Sequence, residues 1–480
     1  MVIMKPSYFA VGLIGVLALL LCRSAGGAPV TESEAISLAE WWYAAEVNAP
    51  TTALPAAEKQ ARVAARNMHT VSYVVGRDNF QSTRKTTDAV AAYVVAFEPS
   101  GLVVVSGEDT LQPVLVFSAT GSFDWSGDPK TNYLAYYLGR SVAGAVEKER
   151  SLAVKHTPHA NWTLFREQIK SGMSQPTATE TSSANRNEDK GGTYVMLPTA
   201  LWGQGSHYNN VCAAHNGGIG VPTGCVATAM AIKFRFHQWP WVGNSSHSYN
   251  DTSGSVKYPH SVNFGTQTFN WDNMPTNSLT VDNSDIANLM YDCGVAVDMD
   301  YEAGSSGAWP YGGDISPAIN NYFRYRGTYV INSRTTSDHT PAMMYCIQCG
   351  VPVVVGTDDH CFVACGYRNT LAPYFYFNMG WDGGNNAWYD VTDIIPDSNL
   401  PLNGSLPYST PNDYAYVDGV TSGGNGNLQT PYQTVASGVS GVSSSGVLWL
   451  KTGQYTGNGG LLLNKPMTIN SYLGAATVGN

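Results

Sequence analysis

The residue best suited to covalent chemistry is a single cysteine, Cys225. It follows a Pro-Thr-Gly turn at 222–224 and opens a run of small side chains, which predicts a closely packed helix. A thiol in the first turn of a helix lies near unpaired backbone N–H groups and the positive end of the helix dipole, and both favour the thiolate. Because the thiolate is the nucleophilic form, this position suits a catalytic cysteine. The alternative for this stretch alone is a small buried core cysteine.

Residues farther along the chain could complete a catalytic group around this thiol. His360 lies about 135 residues after Cys225, at the start of a predicted strand, within the Cys-to-His separation of papain-like proteases. Asn378 follows at the end of the next aromatic strand. A cysteine on a helix, a histidine on a strand and an asparagine at the next strand's end form the Cys-His-Asn arrangement of papain-like enzymes. Upstream, Gln204 carries a side-chain amide that could donate to an oxyanion.

Several segments of the chain resemble the streptopain (C10) family of cysteine peptidases, over roughly residues 30–400. The resemblance implies a papain-like fold with Cys225 as nucleophile, His360 as general base and Gln204 as oxyanion donor. It also implies that Asn378 and Trp381 position the imidazole. The segments are 224–231 (GCVATAMA), 236–240 (FHQWP), 269–275 (FNWDNMP) and 295–301 (VAVDMDY).

The chain departs from that family at two places close to these residues. Asp358 and Asp359 stand where the family usually has two glycines before the histidine, and Met379 stands where it usually has tryptophan. Neither departure removes a reacting group. We expect them to alter the shape of the subsites and the pH optimum.

The composition and the first residues indicate an exported protein. The chain has 480 residues, a formal net charge of −10 and no basic stripe, which argues against a nucleic-acid partner. An uncharged apolar run at 7–22 predicts a secretory signal peptide over 1–27, too short for a comfortable membrane span. Leu21 before Cys22 argues against a lipoprotein anchor. No other segment is predicted to cross a bilayer, so the expected localisation is secreted.

The next 165 residues divide into a folded module and a linker. Residues 28–170 predict an α+β module that begins with a capping box at Thr31–Glu34. Within it, 101–109 resembles the signature of the family's inhibitory propeptide, which implies that the module helps the enzyme to fold and blocks its cleft. Residues 171–192 contain almost no apolar side chain and predict a mobile linker. We expect the activation cleavage there, near Lys190-Gly191.

The second half of the chain predicts a peptidase domain and a short β-rich module. Residues 193–405 show helices first and a largely antiparallel sheet second, which is an α+β plan. Residues 411–480 show short β-segments with Gly/Asn turns and resemble the opening coils of pectate-lyase-like parallel β-helix proteins. Only about two repeats are present, so the module is either a cap or a truncated array. Adhesion or packing is its expected role, and the pattern leaves open whether it binds a surface ligand.

Seven cysteines remain once the signal peptide is removed. An odd number in an exported chain predicts one reactive thiol and at most three disulfides, whose pairing the sequence does not assign. The alternative is a zinc site formed by Cys346, Cys349, Cys361 and Cys365. The predicted thiol–imidazole chemistry requires neither a metal nor a cofactor.

Together these observations predict a secreted cysteine endopeptidase made as a zymogen. Its expected partners are protein or peptide substrates and its own propeptide, which acts as an intramolecular inhibitor. Because Cys-His chemistry alone does not name the acyl substrate, a cysteine amidase acting on cell-wall peptides is an alternative. A second alternative is a non-catalytic secreted binding or adhesion protein built on an inactive peptidase scaffold.

Overall fold

The computed structural model describes most of the chain between residue 27 and residue 479. The predicted signal peptide up to residue 26, the predicted linker 171–192 and Asp358-Asp359 lie outside the described residues. The described residues are 27–49, 52, 54–76, 79–82, 89–122, 133–152, 157–170, 194–218, 220–251, 258–308, 315–326, 336–357, 360–369, 373–390, 410–411, 413–428, 430–456 and 463–479.

The described chain contains helices and strands throughout, which confirms the mixed α and β class. The helices are α1 (Glu32–Asn48), α2 (Ala56–Ala64), α3 (Tyr133–Tyr136), continued by a π-helical turn (Tyr137–Val142) into α4 (Ala143–Ser151), α5 (Ala160–Lys170), α6 (Asn210–His215), α7 (Cys225–His237), α8 (Ser284–Ala296), α9 (Ile315–Phe323), α10 (Thr336–Gln348) and α11 (Val435–Gly441). The strands are β1 (His69–Gly76), β2 (Asn79–Gln81), β3 (Ala92–Phe97), β4 (Leu102–Ser106), β5 (Val114–Ser118), β6 (Tyr194–Met196), β7 (His247–Asp251), β8 (Tyr258–Val262), β9 (Tyr325–Arg326), β10 (Val353–Gly356), β11 (Cys361–Asn369), β12 (Pro373–Asn378), β13 (Ala387–Asp390), β14 (Thr410–Pro411), β15 (Tyr414–Val417), β16 (Val447–Tyr455) and β17 (Thr468–Val478).

One antiparallel sheet runs through both the first module (28–170) and the predicted peptidase domain (193–405), which is called the peptidase region below. In the described part of the chain it has ten strands: nine in the order β10-β11-β12-β13-β5-β4-β3-β1-β2, and the tenth, β6, which pairs with β11. The two regions meet where β13 pairs with β5, with Trp388 opposite Phe117 and Tyr389 opposite Val116. The regions predicted as separate modules therefore share a continuous sheet.

Strands β3, β4 and β5 of the first module are buried on both faces, which explains their almost uninterrupted apolar sequence. Alternate side chains of β3 enter two different clusters: Val94 packs with the π-helical turn and α4, whereas Tyr93 and Val95 pack under α1. The predicted capping box at the start of α1 is confirmed, because the Thr31 hydroxyl accepts from the Glu34 N–H and the Glu34 carboxylate accepts from the Thr31 N–H.

Helix α7 lies at the centre of the peptidase region. Its residues from Val226 to Phe234 are all buried, and it packs against α8 and β11. Small side chains in its first two turns allow these neighbours to approach closely. Helix α8 begins at the Asn283 cap, whose side-chain oxygen accepts from the Ile286 N–H at 2.9 Å.

Among the described residues, no helix has both the length and the hydropathy needed to span a membrane.

The C-terminal module is a small parallel sheet attached to the peptidase region. Strands β15, β16 and β17 pair in parallel in chain order, and α11 covers β15 and β16. The Tyr414 ring lies 5.7 Å from the ring of His237 at the end of α7. Across the same boundary, the Trp449 ring lies against Gly350, after α10. The module therefore packs at the end of α7 opposite Cys225.

The seven cysteines of the described chain are all free thiols, so none of the disulfides that the sequence allowed, at most three, is present among the described residues. Six of them are buried and behave as small core residues, and burial raises the pKa values of their thiols. The alternative zinc site also receives no support, because no group of three His, Cys, Asp or Glu residues in the described chain is arranged to hold a metal.

Candidate active site

The first turn of α7 is fixed by a glycine and two threonines. Gly224 precedes Cys225 with φ of 86°, and a Cβ there would lie 2.6 Å from the Met299 sulfur, so both the conformation and the close approach require glycine. The Thr228 hydroxyl donates to the Gly224 carbonyl at 2.9 Å and lies 2.8 Å from the Thr223 hydroxyl. Cys225 thus projects from a rigid helix start.

The environment of the Cys225 thiol differs from the sequence expectation. Burial raises the pKa of this thiol, and the backbone N–H groups of Cys361, Val226 and Cys225 itself oppose the rise. The helix start therefore does favour the thiolate, but removal from water has the larger effect. Sequence reasoning identified the N–H groups and could not identify the burial. The contact with the Cys361 N–H also places the thiol beside the start of β11, next to His360.

His360 is buried and held on two sides. It lies immediately before β11, and its Nε2 is 3.0 Å from the Met379 carbonyl oxygen. The Trp381 ring stacks on the imidazole, with centroids 4.3 Å apart and an interplanar angle of 19°. Burial lowers the pKa of His360 to about 4, against the opposing effect of the Met379 hydrogen bond. The imidazole is therefore neutral at pH 7.

The Met379 contact determines which imidazole nitrogen carries the proton. A carbonyl oxygen only accepts, so Nε2 of the neutral ring must be the donor. The other nitrogen, Nδ1, is then the basic atom. This tautomer is the one required for a general base that acts through Nδ1.

Asn378 is connected to the imidazole through the backbone. Its side-chain nitrogen donates to the Thr199 hydroxyl at 3.0 Å and to the Ala200 carbonyl at 2.8 Å. Its side-chain oxygen accepts from the Gly380 N–H at 3.2 Å. Since this N–H and the Met379 carbonyl belong to the same peptide group, Asn378 holds the peptide plane that accepts the His360 proton.

Gln204 lies beside the helix start on a separate segment. Its backbone carbonyl accepts from the Thr223 N–H at 2.9 Å, two residues before Cys225. The preceding Gly203 fits against the Asp382 carboxylate, which accepts from the Tyr208 hydroxyl at 2.6 Å. Asp382 thus connects the Gln204 segment to the loop that carries Trp381.

The loop after β12 packs directly on α7, which brings the predicted residues into one region. A Cβ on Gly380 would lie 3.0 Å from the Thr228 side chain, one turn beyond Cys225. Cys225 opens the first turn of α7, and His360 and Trp381 lie beside that turn. Gln204 is hydrogen-bonded through its backbone to Thr223, just before the turn. Asn378 supports the peptide group that contacts the imidazole. Sequence reasoning missed the Met379 carbonyl, Asp382 and Asn386, which is described below. A backbone carbonyl has no residue-type signature.

Comparisons with known proteins show which families and proteins this chain resembles. Residues 202–389 match the model of the Peptidase C10 family, and residues 27–139 match that of the Spi protease inhibitor. The chain is 25% identical over 332 residues to streptopain of Streptococcus pyogenes, covering 64% of this chain and 75% of streptopain. It is 28% identical over 236 residues to the thiol protease/hemagglutinin PrtT of Porphyromonas gingivalis, covering 47% of this chain and 26% of PrtT.

Solved structures of one related protein were also found. A fragment of prointerpain A from Prevotella intermedia is 21% identical, with a TM-score of 0.49, over 67% of this chain and 95% of the fragment. Active interpain A from the same organism is 24% identical, with a TM-score of 0.38, over 45% of this chain and 94% of interpain A.

The family matches show a Peptidase C10 region preceded by a Spi inhibitor-like region. The prediction that this chain is a cysteine-type peptidase, and so a hydrolase, is confirmed.

Proposed function

We propose that this cysteine-type peptidase is an exported endopeptidase made as a zymogen, with Cys225 as its nucleophile and His360 as its general base. The observation that carries the proposal is the bond from His360 Nε2 to the Met379 carbonyl, which leaves Nδ1 as the basic nitrogen. Cys225 opens a helix that packs on the strand following His360. A base and a nucleophile on these two elements suit acyl transfer.

In the proposed reaction, the Cys225 sulfur attacks the scissile carbonyl carbon while its proton passes to His360 Nδ1. The C–N bond then breaks, and the leaving amine takes that proton from the imidazolium. Water hydrolyses the thioester with the imidazole again acting as base. Trp381, stacked on the ring, would hold it in plane, and Asn378 would fix the peptide that accepts the Nε2 proton.

The oxyanion of the tetrahedral intermediate would be stabilised by the Gln204 side chain and the Cys225 N–H. The Gln204 carbonyl accepts a hydrogen bond from the Thr223 N–H, just before the helix start. The N–H groups of the first helical turn, including that of Cys225, have no intrahelical partners. Donors held in place before the reaction need no reorganisation as the negative charge develops. The Asp382–Tyr208 contact would keep this segment at a fixed distance from the Trp381 loop.

The zymogen proposal is supported by contacts between residues 28–170 and the peptidase region. Beyond the β5–β13 pairing, the Tyr374 hydroxyl donates to the Val114 carbonyl and the Tyr137 hydroxyl donates to the Asp390 carbonyl, each at 2.8 Å. Such an interface would let the propeptide assist folding and remain bound until it is cut. Cleavage within 171–192 would end the tethering that keeps its effective concentration high.

The proposal also includes export of the chain and a role for its C-terminal module. The apolar run at 7–22 supports a signal peptide over 1–27. The parallel pairing of β15, β16 and β17 supports a β-helix-like module over 411–480, with packing or adhesion as its role.

The test compares Cys225→Ala, His360→Ala and a matched control, Cys293→Ala, which removes a fully buried thiol to which the proposal assigns no role. Each activated protein is assayed on an unfolded, casein-like protein, and product ends are sequenced. We expect the first two variants to be inactive and the control to keep its activity per folded molecule. Internal cuts would establish an endopeptidase. Wild-type activity in Cys225→Ala, or cleavage of cell-wall peptides alone, would overturn the proposal.

A further inference from the structure

His360 depends on a backbone group for the orientation of its ring. A main-chain carbonyl cannot change rotamer, so the direction of the Nε2–H bond is set by the conformation of residues 379 and 380. These residues lie in the turn after β12, where Gly380 has φ of 70°. Whatever fixes this turn therefore also fixes the imidazole.

The turn lies beyond the regular pairing of its two strands. The β12–β13 ladder ends with Phe377 opposite Ala387. Beyond that pair, the Met379 N–H donates to the side-chain oxygen of Asn386 at 2.8 Å. Because the donor is an N–H, the Asn386 atom facing it must be the oxygen. The Asn386 side chain thus extends the ladder by one hydrogen bond.

Residue 379 is consequently held on both sides. Asn386 accepts from its N–H, and Asn378 accepts from the Gly380 N–H of the following peptide group. The carbonyl between these two contacts receives the His360 proton. Hydrogen bonds in such a chain polarise one another, which strengthens the bond to the imidazole.

Packing alone does not account for an asparagine at this position. Asn386 is 5% exposed, and its side-chain nitrogen has no hydrogen-bond partner within the described residues. A buried amide donor without a partner lowers stability, and an apolar side chain would avoid that loss. The bond from Met379 explains why an amide oxygen is present.

We propose that Asn386 is a positioning residue for the catalytic imidazole: its side-chain oxygen holds Met379 so that the Met379 carbonyl accepts the His360 Nε2 proton. The inference rests on the proposed role of His360 as general base. Asn386 acts on the reaction through Met379 and touches neither the thiol nor the substrate.

The test uses three variants of Asn386 and one control, all made as the full chain and activated by the same external protease. Asn386→Leu and Asn386→Ala remove the acceptor, and Asn386→Asp keeps it. The control, Asn216→Leu, removes another buried asparagine, 1% exposed, whose side chain makes one bond to the Cys212 carbonyl. Steady-state kinetics are measured together with the rate at which iodoacetamide alkylates Cys225, followed by mass spectrometry of that peptide.

We expect Asn386→Leu to lower kcat and the alkylation rate at least tenfold per folded molecule, with KM changed less than twofold, since misorientation of a base affects the chemical step. Asn386→Asp should stay within about fivefold of the unchanged protein and Asn216→Leu within twofold, if the oxygen is what matters. If Asn386→Leu does not fold, the same losses are expected of Asn386→Ala, which then tests the role of the side-chain oxygen.

Two failures are distinguishable. If His360→Ala is inactive while both acceptor-removing variants keep their kcat, the role of Asn386 is overturned and the proposed function stands. If His360→Ala is active, the general base is misassigned and the role of Asn386 is overturned with it. A loss in Asn386→Asp equal to that in Asn386→Leu would also contradict the proposal.

Discussion

Removing the Glu46 carboxylate should weaken the binding of the cut propeptide to the peptidase region. Glu46 lies on α1, and its Oε2 is 2.6 Å from Arg368 Nη1 on β11. The two side chains are only 11% and 9% exposed. The guanidinium also lies over the rings of Phe117, at 5.0 Å, and Trp388, at 5.6 Å. The ion pair is therefore almost completely removed from water, and it joins the propeptide to the peptidase region.

The size of the effect follows from this burial. Removing one partner of a buried ion pair costs about 3–5 kcal/mol, because the other charge is left without compensation in a site with little water. Once the propeptide has dissociated, water can reach Arg368, so the lower limit applies to binding. About 3 kcal/mol corresponds to about a hundredfold weaker association, at 1.4 kcal/mol per tenfold.

The assay measures how tightly the cut propeptide stays bound. The precursor is cut within 171–192 by an external protease and diluted, and activity is followed against concentration to obtain the dissociation constant. The matched control is Glu34→Ala on the same helix, because Glu34 pairs with Arg166 inside the propeptide. A shift below fivefold in Glu46→Ala, or an equal shift in both variants, would refute the reasoning.

Three further predictions follow from the site and the linker. Gln204→Ala should lower kcat by about 10²–10³ with little change in KM, and a raised KM with unchanged kcat would make Gln204 a substrate-binding residue. The depressed pKa of His360, about 4 instead of 6.5, means that the unfolded state binds more protons between these values. Stability should therefore fall by up to about 3 kcal/mol as pH drops through that window, and His360→Gln in an inactive Cys225→Ala precursor should remove this loss in denaturation curves. The uncut precursor should be nearly inactive, and N-terminal sequencing of the mature form should place the cut near Lys190-Gly191; full activity without cleavage, or a mature N-terminus beyond Gln204, would contradict this.

The sequence predicted those parts of the molecule that depend on local pattern. The turn before Cys225 and the small residues after it predicted the start of α7, and the Thr31–Glu34 pattern predicted the capping box of α1. The pairing of Phe117 with Trp388 could not be predicted, because register between distant strands leaves no local signal.

In the candidate site, too, the sequence predicted what depends on residue type and missed what depends on the whole fold. The residue types of Cys225 and His360 suggested the chemistry, but the atom that fixes the imidazole tautomer is a carbonyl that any residue at 379 would supply. The pKa of Cys225 was misjudged for a related reason. Helix position is readable from sequence, whereas the extent of burial depends on the whole fold.

The shared sheet has a consequence for the enzyme after activation. While β5 is in place, the outer edge of β13 is paired. Under the proposed activation, departure of the propeptide would leave Trp388 and Tyr389 on an edge strand with unpaired N–H and C=O groups, which is a template for another extended chain. The mature form is therefore expected to associate with itself or with unfolded polypeptides through this edge, and free propeptide would act as its cap.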